Sequence, residues 1–169
     1  GAGFLAALLG ARRAGLVPVL ADWASPTAER ARIAEALGVA AGISCDDTFP
    51  KGVASFRIEQ CSGAHAVAPE GVGYVKLTSG SSGAPSGVAF SPEALAADDD
   101  QLAATMGLLA SDRFVAAIPW SHSYGLSSLV MPALRRGSML LVPEDSSPWG
   151  PLDIARELSA TVFPTVPVS

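Results

Sequence analysis

A segment rich in hydroxyl side chains and glycine occupies residues 78–87. Its ten residues, TSGSSGAPSG, include five hydroxyl side chains and three glycines, and they follow an apolar run at residues 73–77 that is typical of a strand. Glycine permits backbone conformations in which successive N–H groups converge on one point, and the hydroxyls add further donors. Such a concave set of donors suits phosphate oxygens, so this segment is the first candidate site.

Two other interpretations of residues 78–87 compete with a phosphate site. The same composition makes flexible linkers. A Walker loop is excluded, because no lysine follows the glycines and an apolar piece at residues 88–90 precedes the next helix. A linker usually joins domains, whereas this segment lies within a succession of strands and helices that needs an ordered connection. We therefore expect a strand, a phosphate-binding loop and a second strand.

A second polar cluster, IPWSHSYGL, occupies residues 118–126, where a strand at residues 114–118 gives way to a helix. Ligands of open α/β sheets bind at such strand ends. A single histidine such as His122 is more often structural than catalytic. A hydrolase dyad is not indicated either, because the chain contains no G-x-S-x-G elbow. Two polar loops at strand ends nevertheless favour a ligand site.

The elements that position these loops follow an α/β pattern. Short apolar runs alternate with capped amphipathic segments, which predicts a mainly parallel sheet flanked by helices. Strands are expected at residues 16–21, 73–77, 88–90, 114–118, 138–142 and 161–163. Residues 44–71 predict a loop-rich connection with one short strand at residues 53–58.

Helices are expected in four places. Ser25 as N-cap and Pro26 in the first turn open a helix that ends at Gly38 in a left-handed C-cap. Ser91 and Pro92 begin the second helix, and a fourth is expected at residues 152–158. The third runs from Tyr124 to Gly137 with a bend at Pro132 and with Arg135 and Arg136 as helix C-terminal charges.

The second helix carries an apolar stripe and an acidic triplet. The stripe is formed by Leu95, Leu102, Met106 and Leu109, and Asp99 falls beside it. Consecutive helical residues point about 100° apart, so Asp98, Asp99 and Asp100 cannot converge on one metal ion. We expect them to form a solvated acidic face.

Composition narrows the class of protein. The 169 residues carry a net charge of -5, which leaves no basic surface for nucleic acid. The longest run without a charged residue, residues 114–134, contains two prolines and a histidine, so no membrane span is expected. Cys45 and Cys61 lack disulfide or zinc-site spacing, which favours a reduced, cytoplasmic location. The first residue is Gly1 and no leader precedes it, so we expect a fragment.

The string TSGSSGAPSGV resembles the phosphate-binding signature T-S-G-[ST]-[ST]-G-x-P-K-G-V of the AMP-forming adenylating enzymes. That superfamily includes acyl-CoA synthetases, peptide-synthetase adenylation domains and luciferases. About forty residues on, DRFVAAIPWSHSYGL is similar to the family segment D-x-x-x-x-x-x-P-[LM]-x-H-x-x-G-[LF]. Residues 9–19 and 25–30 also fit, so the resemblance covers nearly all of residues 1–169. It implies an incomplete α/β portion of the large N-terminal domain, without the C-terminal domain.

The resemblance implies roles for individual residues. The loop would hold the β- and γ-phosphates of ATP while a substrate carboxylate attacks the α-phosphorus, and the second cluster would line the acyl or aryl pocket. Thr78 and His122 would be the catalytic residues. The implied phosphate-binding residues are Thr78, Ser79, Gly80, Ser81, Ser82, Gly83, Ser86 and Gly87. The implied pocket residues are Trp120, His122, Tyr124 and Gly125.

The resemblance also implies ATP, Mg²⁺ and coenzyme A as cofactors and a carboxylic acid as substrate. The motif HSYGL favours an acyl-CoA synthetase, with a role in fatty acid metabolism, over amino-acid activation. Two alternatives stay open. The chain could belong to an adenylation domain that loads a carrier protein, or to an inactive relative that binds only nucleotide or a partner protein.

Two departures from the family pattern matter. Ser86 stands where the family has lysine, and a hydroxyl cannot neutralise a phosphate charge. Because strand positions two apart share a face, Lys76 is expected beside Thr78 and could supply that charge. The family's magnesium-associated glutamate, ribose-binding aspartate, hinge and C-terminal lysine do not occur before Ser169, so this chain contributes no metal ligand. We expect residues 1–169 alone to be inactive and poorly soluble.

Overall fold

The computed structural model describes residues 1–22, 24–46, 55–78, 85–143 and 147–165. The chain divides into two compact units, Gly1–Pro92 and Glu93–Ser169. Both units combine helices with strands, as the α/β pattern predicts.

The first unit is built on a three-stranded sheet in the order β1-β4-β5. Its elements are α1 (Ala2–Arg13), β1 (Val19–Leu20), α2 (Thr27–Leu37), β2 (Ala41–Asp46), β3 (Ser55–Gln60), β4 (Tyr74–Thr78) and β5 (Ser86–Phe90). Strand β1 pairs with β4 in parallel, and β4 pairs with β5 antiparallel. The strands expected at residues 73–77 and 88–90 are therefore confirmed, and the second begins two residues earlier than expected. Helix α1 was not among the predicted helices.

Helix α2 ends as predicted and begins differently. Gly38 adopts the left-handed conformation, with φ 60° and ψ 42°, and closes the helix. The N-cap is Pro26, and no side chain caps the helix, so the expected capping role of Ser25 is wrong. The carbonyl of Ser25 instead accepts a hydrogen bond from the Arg30 guanidinium. The Arg30 side chain therefore stabilises the turn before α2 rather than the first turn of the helix.

Strands β2 and β3 form an antiparallel pair that corrects the loop-rich prediction for residues 44–71. The register places Ile43 opposite Ile58 and Cys45 opposite Phe56, so these four side chains share one face of the ribbon. The polar residues Ser44, Arg57 and Glu59 lie on the opposite face. Ile43, Phe56 and Ile58 are exposed. The alternation of period two is the strand signal that the prolines and glycines of this region obscured.

The second unit contains a parallel pair of strands and five helical elements in its described residues. They are α3 (Pro92–Met106), β6 (Arg113–Val115), α4 (Ser123–Gly125), a π-helical turn (Leu126–Val130), α5 (Met131–Arg136), β7 (Met139–Leu141) and α6 (Gly150–Glu157). Strand β6 pairs with β7 in parallel, and Phe114 forms one isolated parallel bridge with Val162. The expected strand at residues 161–163 is thus reduced to a single bridge.

Helix α3 is shorter than its apolar stripe suggests. It ends at Met106, so Leu109 lies outside it, and both of these side chains are exposed. The buried residues of α3 are Leu95 and Asp99, one turn apart. The face that packs is therefore centred on an aspartate rather than on the predicted stripe.

The segment from Ser123 to Arg136 is helical throughout. Leu126 and Met131, at the two ends of the π-helical turn, both have right-handed helical backbone angles. The turn ends two residues before Pro132, which has no N–H to donate and whose ring would crowd the carbonyl four residues earlier. The bend expected at Pro132 stays a prediction, and the structure shows a π-helical turn just before this residue. The residues from Leu126 to Pro132 are all buried.

Among the helices of the described ranges, none combines the length and apolar character needed to cross a bilayer.

Candidate active site

The antiparallel pair β4–β5 borders the first candidate loop. Thr78, the last residue of β4, faces Ser86, the first residue of β5. The Thr78 hydroxyl donates a hydrogen bond of 3.4 Å to the Ser86 carbonyl. The expected strand–loop–strand arrangement is therefore confirmed at its two ends. Five predicted phosphate-binding residues lie outside the described residues: Ser79, Gly80, Ser81, Ser82 and Gly83.

The packing around β5 requires glycine at position 87. A Cβ atom added there would lie 2.5 Å from Val75 Cγ1 and 3.3 Å from Leu37 Cδ1. Contacts this short are not tolerated without movement of the neighbours. A side chain at this position would therefore force Val75 of β4, and to a lesser extent Leu37 of α2, to move. This steric demand stands beside the phosphate-binding role predicted for Gly87.

Lys76 lies in the middle of β4 and is only 5% exposed. Its Nζ lies 4.4 Å from the centroid of the Phe90 ring. Phe90 pairs with Tyr74, at the start of β4, whereas Thr78 ends that strand. The ammonium thus extends toward the Tyr74 end of β4, where it lies over an aromatic face that stabilises a cation. This position argues against the hypothesis that Lys76 supplies charge at the base of the phosphate site, whose residues 79–84 lie outside the described residues.

The second candidate site begins with a turn after β6. The N–H of His122 donates to the Pro119 carbonyl at 3.2 Å, and the His122 carbonyl accepts from the Leu126 N–H at 2.8 Å. His122 is the N-cap residue of α4, with extended backbone angles. The predicted position at the junction of strand and helix is therefore confirmed, and the histidine side chain is exposed.

The four predicted pocket residues divide by burial. Trp120 is 9% exposed and Gly125 is buried, whereas His122 and Tyr124 are exposed. A Cβ atom added at Gly125 would overlap the carbonyl oxygen of Pro119 and lie 3.1 Å from Trp120 Cα. Glycine at this position lets the turn pack directly against the helix start. The structure thus gives Trp120 and Gly125 a packing role, whereas the side chains of His122 and Tyr124 are exposed to solvent.

A buried ion cluster was missed by the expectation of a solvated acidic face. Asp99 has a side chain that is 0% exposed and receives 2.6 and 2.9 Å contacts from Arg135 and Arg136. Asp100 is exposed and pairs with the same two arginines. The expectation is therefore wrong for Asp99, because two guanidinium groups compensate its burial. The sequence signal that could have revealed this burial is the position of Asp99, one helical turn after Leu95 on the face of α3 that packs.

The arginines lie in the last turn of α5, as predicted. The hydrogen bond from Arg135 is the largest cause that lowers the pKa of Asp100 below its usual value. The same contact is the first cause that raises the pKa of Arg135. The carboxylates thus favour the charged form of Arg135, beyond any role as a helix C-terminal charge.

No three His, Cys, Asp or Glu side chains in the part of the chain that the structure describes come together as metal ligands would.

A family model described as AMP-binding enzyme matches residues 1–169, and the chain belongs to this family. The resemblance found in the sequence is confirmed by that match.

Three solved structures are similar to parts of this chain. The apo structure of MbtA from Mycobacterium smegmatis matches 96% of this chain and 36% of its own length, with a TM-score of 0.71 and 20% identity. The adenylation domain of a keto acid-selecting NRPS module, bound to a keto acyl adenylate, matches 63% of this chain and 20% of its own length, with a TM-score of 0.50 and 22% identity. O-succinylbenzoate coenzyme A synthetase (MenE) from Bacillus subtilis, in complex with AMP, matches 54% of this chain and 19% of its own length, with a TM-score of 0.48 and 24% identity.

The chain spans about a third or less of the length of these three matched chains. The α/β fold predicted for a portion of an adenylate-forming enzyme is confirmed by the MbtA match over nearly the whole chain.

Proposed function

We propose that the protein containing this chain activates a carboxylic acid with ATP to give an acyl-adenylate and pyrophosphate. The observation that carries the proposal is the pairing of Thr78 with Ser86 across β4 and β5, in a member of the AMP-binding enzyme family. This pairing fixes both ends of a loop whose sequence offers backbone and hydroxyl donors. A loop held in this way is suited to bind a polyphosphate.

The chemistry follows from where charge develops. The substrate carboxylate oxygen attacks the α-phosphorus, a new P–O bond forms, and the bond to the pyrophosphate oxygen breaks. In our proposal residues 78–83, with Ser86 and Gly87, hold the β- and γ-phosphates and stabilise the charge that the leaving group gains. Thr78 contributes its hydroxyl at the point where β4 ends, and on ATP binding the hydroxyl hydrogen turns from the Ser86 carbonyl, 3.4 Å away, to a phosphate oxygen.

The second cluster supplies the acyl or aryl pocket in this proposal. His122 and Tyr124 present exposed side chains at the start of α4, while Trp120 and Gly125 fix the turn that carries them. His122 would face the reacting carboxylate, and its exposed position allows such a contact.

The acceptor of the acyl group is proposed to be coenzyme A, which would form a thioester and release AMP. The motif HSYGL carries this preference, and a carrier protein is the competing acceptor. Ser86 in place of the family lysine keeps an inactive, nucleotide-binding relative as the alternative outcome. The segments that would supply the magnesium-associated glutamate and the catalytic lysine are expected elsewhere in the protein. Two reduced cysteines fit the proposed cytoplasmic location.

The test uses the intact protein and measures ATP–pyrophosphate exchange that depends on added acetate, octanoate or benzoate. Thr78→Val removes one hydroxyl donor while keeping a β-branched residue in β4. A hydrogen bond to a charged group contributes about 1.5–3 kcal/mol, so we expect kcat/KM for ATP to fall roughly 10- to 100-fold. Thr105→Val is the matched control, because its hydroxyl bonds only to carbonyls within α3.

Each outcome has a defined meaning. Exchange that depends on a carboxylate and is weakened by Thr78→Val but not by Thr105→Val supports the proposal. Nucleotide binding without exchange for any of the three acids favours the inactive relative. Thioester formation with coenzyme A, compared with a phosphopantetheinylated carrier protein, separates the two acceptors.

A further inference from the structure

The buried carboxylate of Asp99 joins two helices of the second unit. Its Oδ2 accepts hydrogen bonds from Arg135 Nη1 at 2.6 Å and from Arg136 Nη2 at 2.9 Å. The same arginines reach the α3 backbone, because Arg135 donates to the Ala96 carbonyl and Arg136 to the Asp99 carbonyl. The last turn of α5 is therefore attached to the middle of α3 through both side chains and main chain.

The attachment of α5 to α3 is costly to disrupt because the Asp99 side chain is fully buried. The side chains of Arg135 and Arg136 are 33% and 24% exposed, so water competes with the pairing only from one side. Removal of one partner from a buried ion pair leaves an uncompensated charge. Asp100 pairs with the same arginines from the solvent side, where its contribution is weaker. Asp99 is thus the residue that fixes the end of α5.

His122 lies at the other end of the same helical segment. From Ser123 to Arg136 the backbone stays helical, which at 1.5 Å per residue corresponds to about 20 Å. The middle of this segment is buried, so it cannot shift without repacking its surroundings. A displacement of the Arg135 end would therefore reach the His122 end.

The π-helical turn Leu126–Val130 sets the relative orientation of the two ends. A π turn accommodates one more residue than an α turn, and each α-helical residue corresponds to about 100° of rotation. The turn thus fixes the angle between the face that holds Arg135 and Arg136 and the face that presents Tyr124. Fixing the face that holds Arg135 and Arg136 therefore also fixes the direction in which Tyr124 is presented.

We infer that Asp99 is a positioning residue: through Arg135 and Arg136 it holds the helical segment that presents His122 and Tyr124 to the substrate acid. The kinetic part of this inference rests on the proposed function. The structural part, that Asp99 fixes the conformation at His122, does not depend on any activity.

The test compares Asp99→Asn with Asp98→Asn in the intact protein. Asp98 is its neighbour in α3 and is exposed, so it is a matched control. We expect hydrogen exchange of the peptide spanning residues 119–130 to be at least tenfold faster in Asp99→Asn than in Asp98→Asn. That peptide contains the His122 and Leu126 amides, which donate to nearby carbonyls. Exchange across β4 and β5 should be unchanged.

Steady-state kinetics supply a readout that a general loss of stability would not reproduce. With the most active of acetate, octanoate and benzoate, KM for the acid should rise at least tenfold while KM for ATP changes less than threefold. Equal exchange in the two variants, or faster exchange throughout the protein, would overturn the inference. If Asp99→Asn does not fold, Arg136→Lys replaces it. That variant keeps the charge but loses the Nε contact, and unchanged exchange at residues 119–130 would again overturn the inference.

The two proposals fail in different ways. Absence of carboxylate-dependent exchange in the unmodified protein removes the proposed function, and hydrogen exchange then decides the role of Asp99 alone. An active enzyme whose acid KM is unaffected by Asp99→Asn refutes the positioning role and leaves the proposed function intact.

Discussion

Gly125→Ala adds a single methyl group, and we expect it to destabilise the folded protein strongly. The added Cβ would overlap the carbonyl oxygen of Pro119, and it would lie 2.8 Å from the carbonyl carbon of the same residue. Both atoms belong to the main chain, so no side-chain rotation relieves the overlap. The turn before α4 must move away, and the 3.2 Å hydrogen bond from the His122 N–H to Pro119 is then lost.

The magnitude follows from these two losses. Overpacking costs about 1–3 kcal/mol, and a lost hydrogen bond adds about 0.5–1.5 kcal/mol. We therefore expect the free energy of unfolding to fall by about 1.5–4.5 kcal/mol. At about 2–4 °C per kcal/mol for a domain of 150–250 residues, the melting temperature would fall by roughly 3–18 °C.

Thermal and urea unfolding of the intact protein measure this effect, and Gly10→Ala is the control. Gly10 lies inside α1, and an added Cβ there meets no atom within 4 Å. Alanine is the better helix former, so this control should gain about 0.5–1 kcal/mol. The steric reasoning is refuted if Gly125→Ala melts within about 1 °C of the unmodified protein, or if both alanine variants lose stability equally.

Two further predictions concern charged groups. Lys76→Met removes a cation–π contact with Phe90 worth about 0.5–2 kcal/mol, so the free energy of unfolding should fall by that amount. KM for ATP should stay within threefold. A tenfold rise in KM for ATP without a change in melting temperature would instead support a direct role of Lys76 in phosphate binding. The pKa of Asp112 is lowered in the folded protein, first by the hydrogen bond from the Leu109 N–H and then by the Thr161 hydroxyl. A lowered folded-state pKa means that the unfolded chain binds the proton more readily, so this contribution is complete above the ordinary value of 3.8 and disappears as the pH falls through the folded pKa. Asp112→Asn should therefore flatten the loss of stability below about pH 4 in urea titrations, and curves parallel to those of the unmodified protein would contradict it.

The features that the sequence predicted well depend on local chemistry. Gly38 and Gly137 both adopt positive φ and end helices, as expected of glycine after an amphipathic segment. The positions of β4 and β5 could be predicted from the polar stretch at residues 78–87 and the apolar runs on either side of it. A strand–loop–strand unit is formed by residues close in sequence, so a local pattern is enough to reveal it. His122 was placed correctly at a junction of strand and helix for the same reason.

The features that the sequence did not predict depend on distant partners. Burial of Asp99 is compensated by arginines about 36 residues away, and no local pattern reports that pairing. Gly125 was expected to line a pocket, whereas its tight contact with Pro119 becomes visible only when the turn is folded. The β2–β3 pair is a different case, because the alternation of Ile43, Cys45, Phe56 and Ile58 with polar residues was present but interrupted by turn-forming residues.

The topology of the first sheet has a consequence for the order of folding. Thr78 of β4 and Ser86 of β5 are paired at a sequence separation of 8, whereas the paired residues of β1 and β4 are roughly 55 positions apart. Chain-closure entropy grows with the logarithm of that separation and disfavours the longer connection by about 1.7 kcal/mol. We expect the hairpin that borders the glycine-rich loop to form early, with β1 joining it late. The nucleation of this sheet would then coincide with the segment that the proposed chemistry uses.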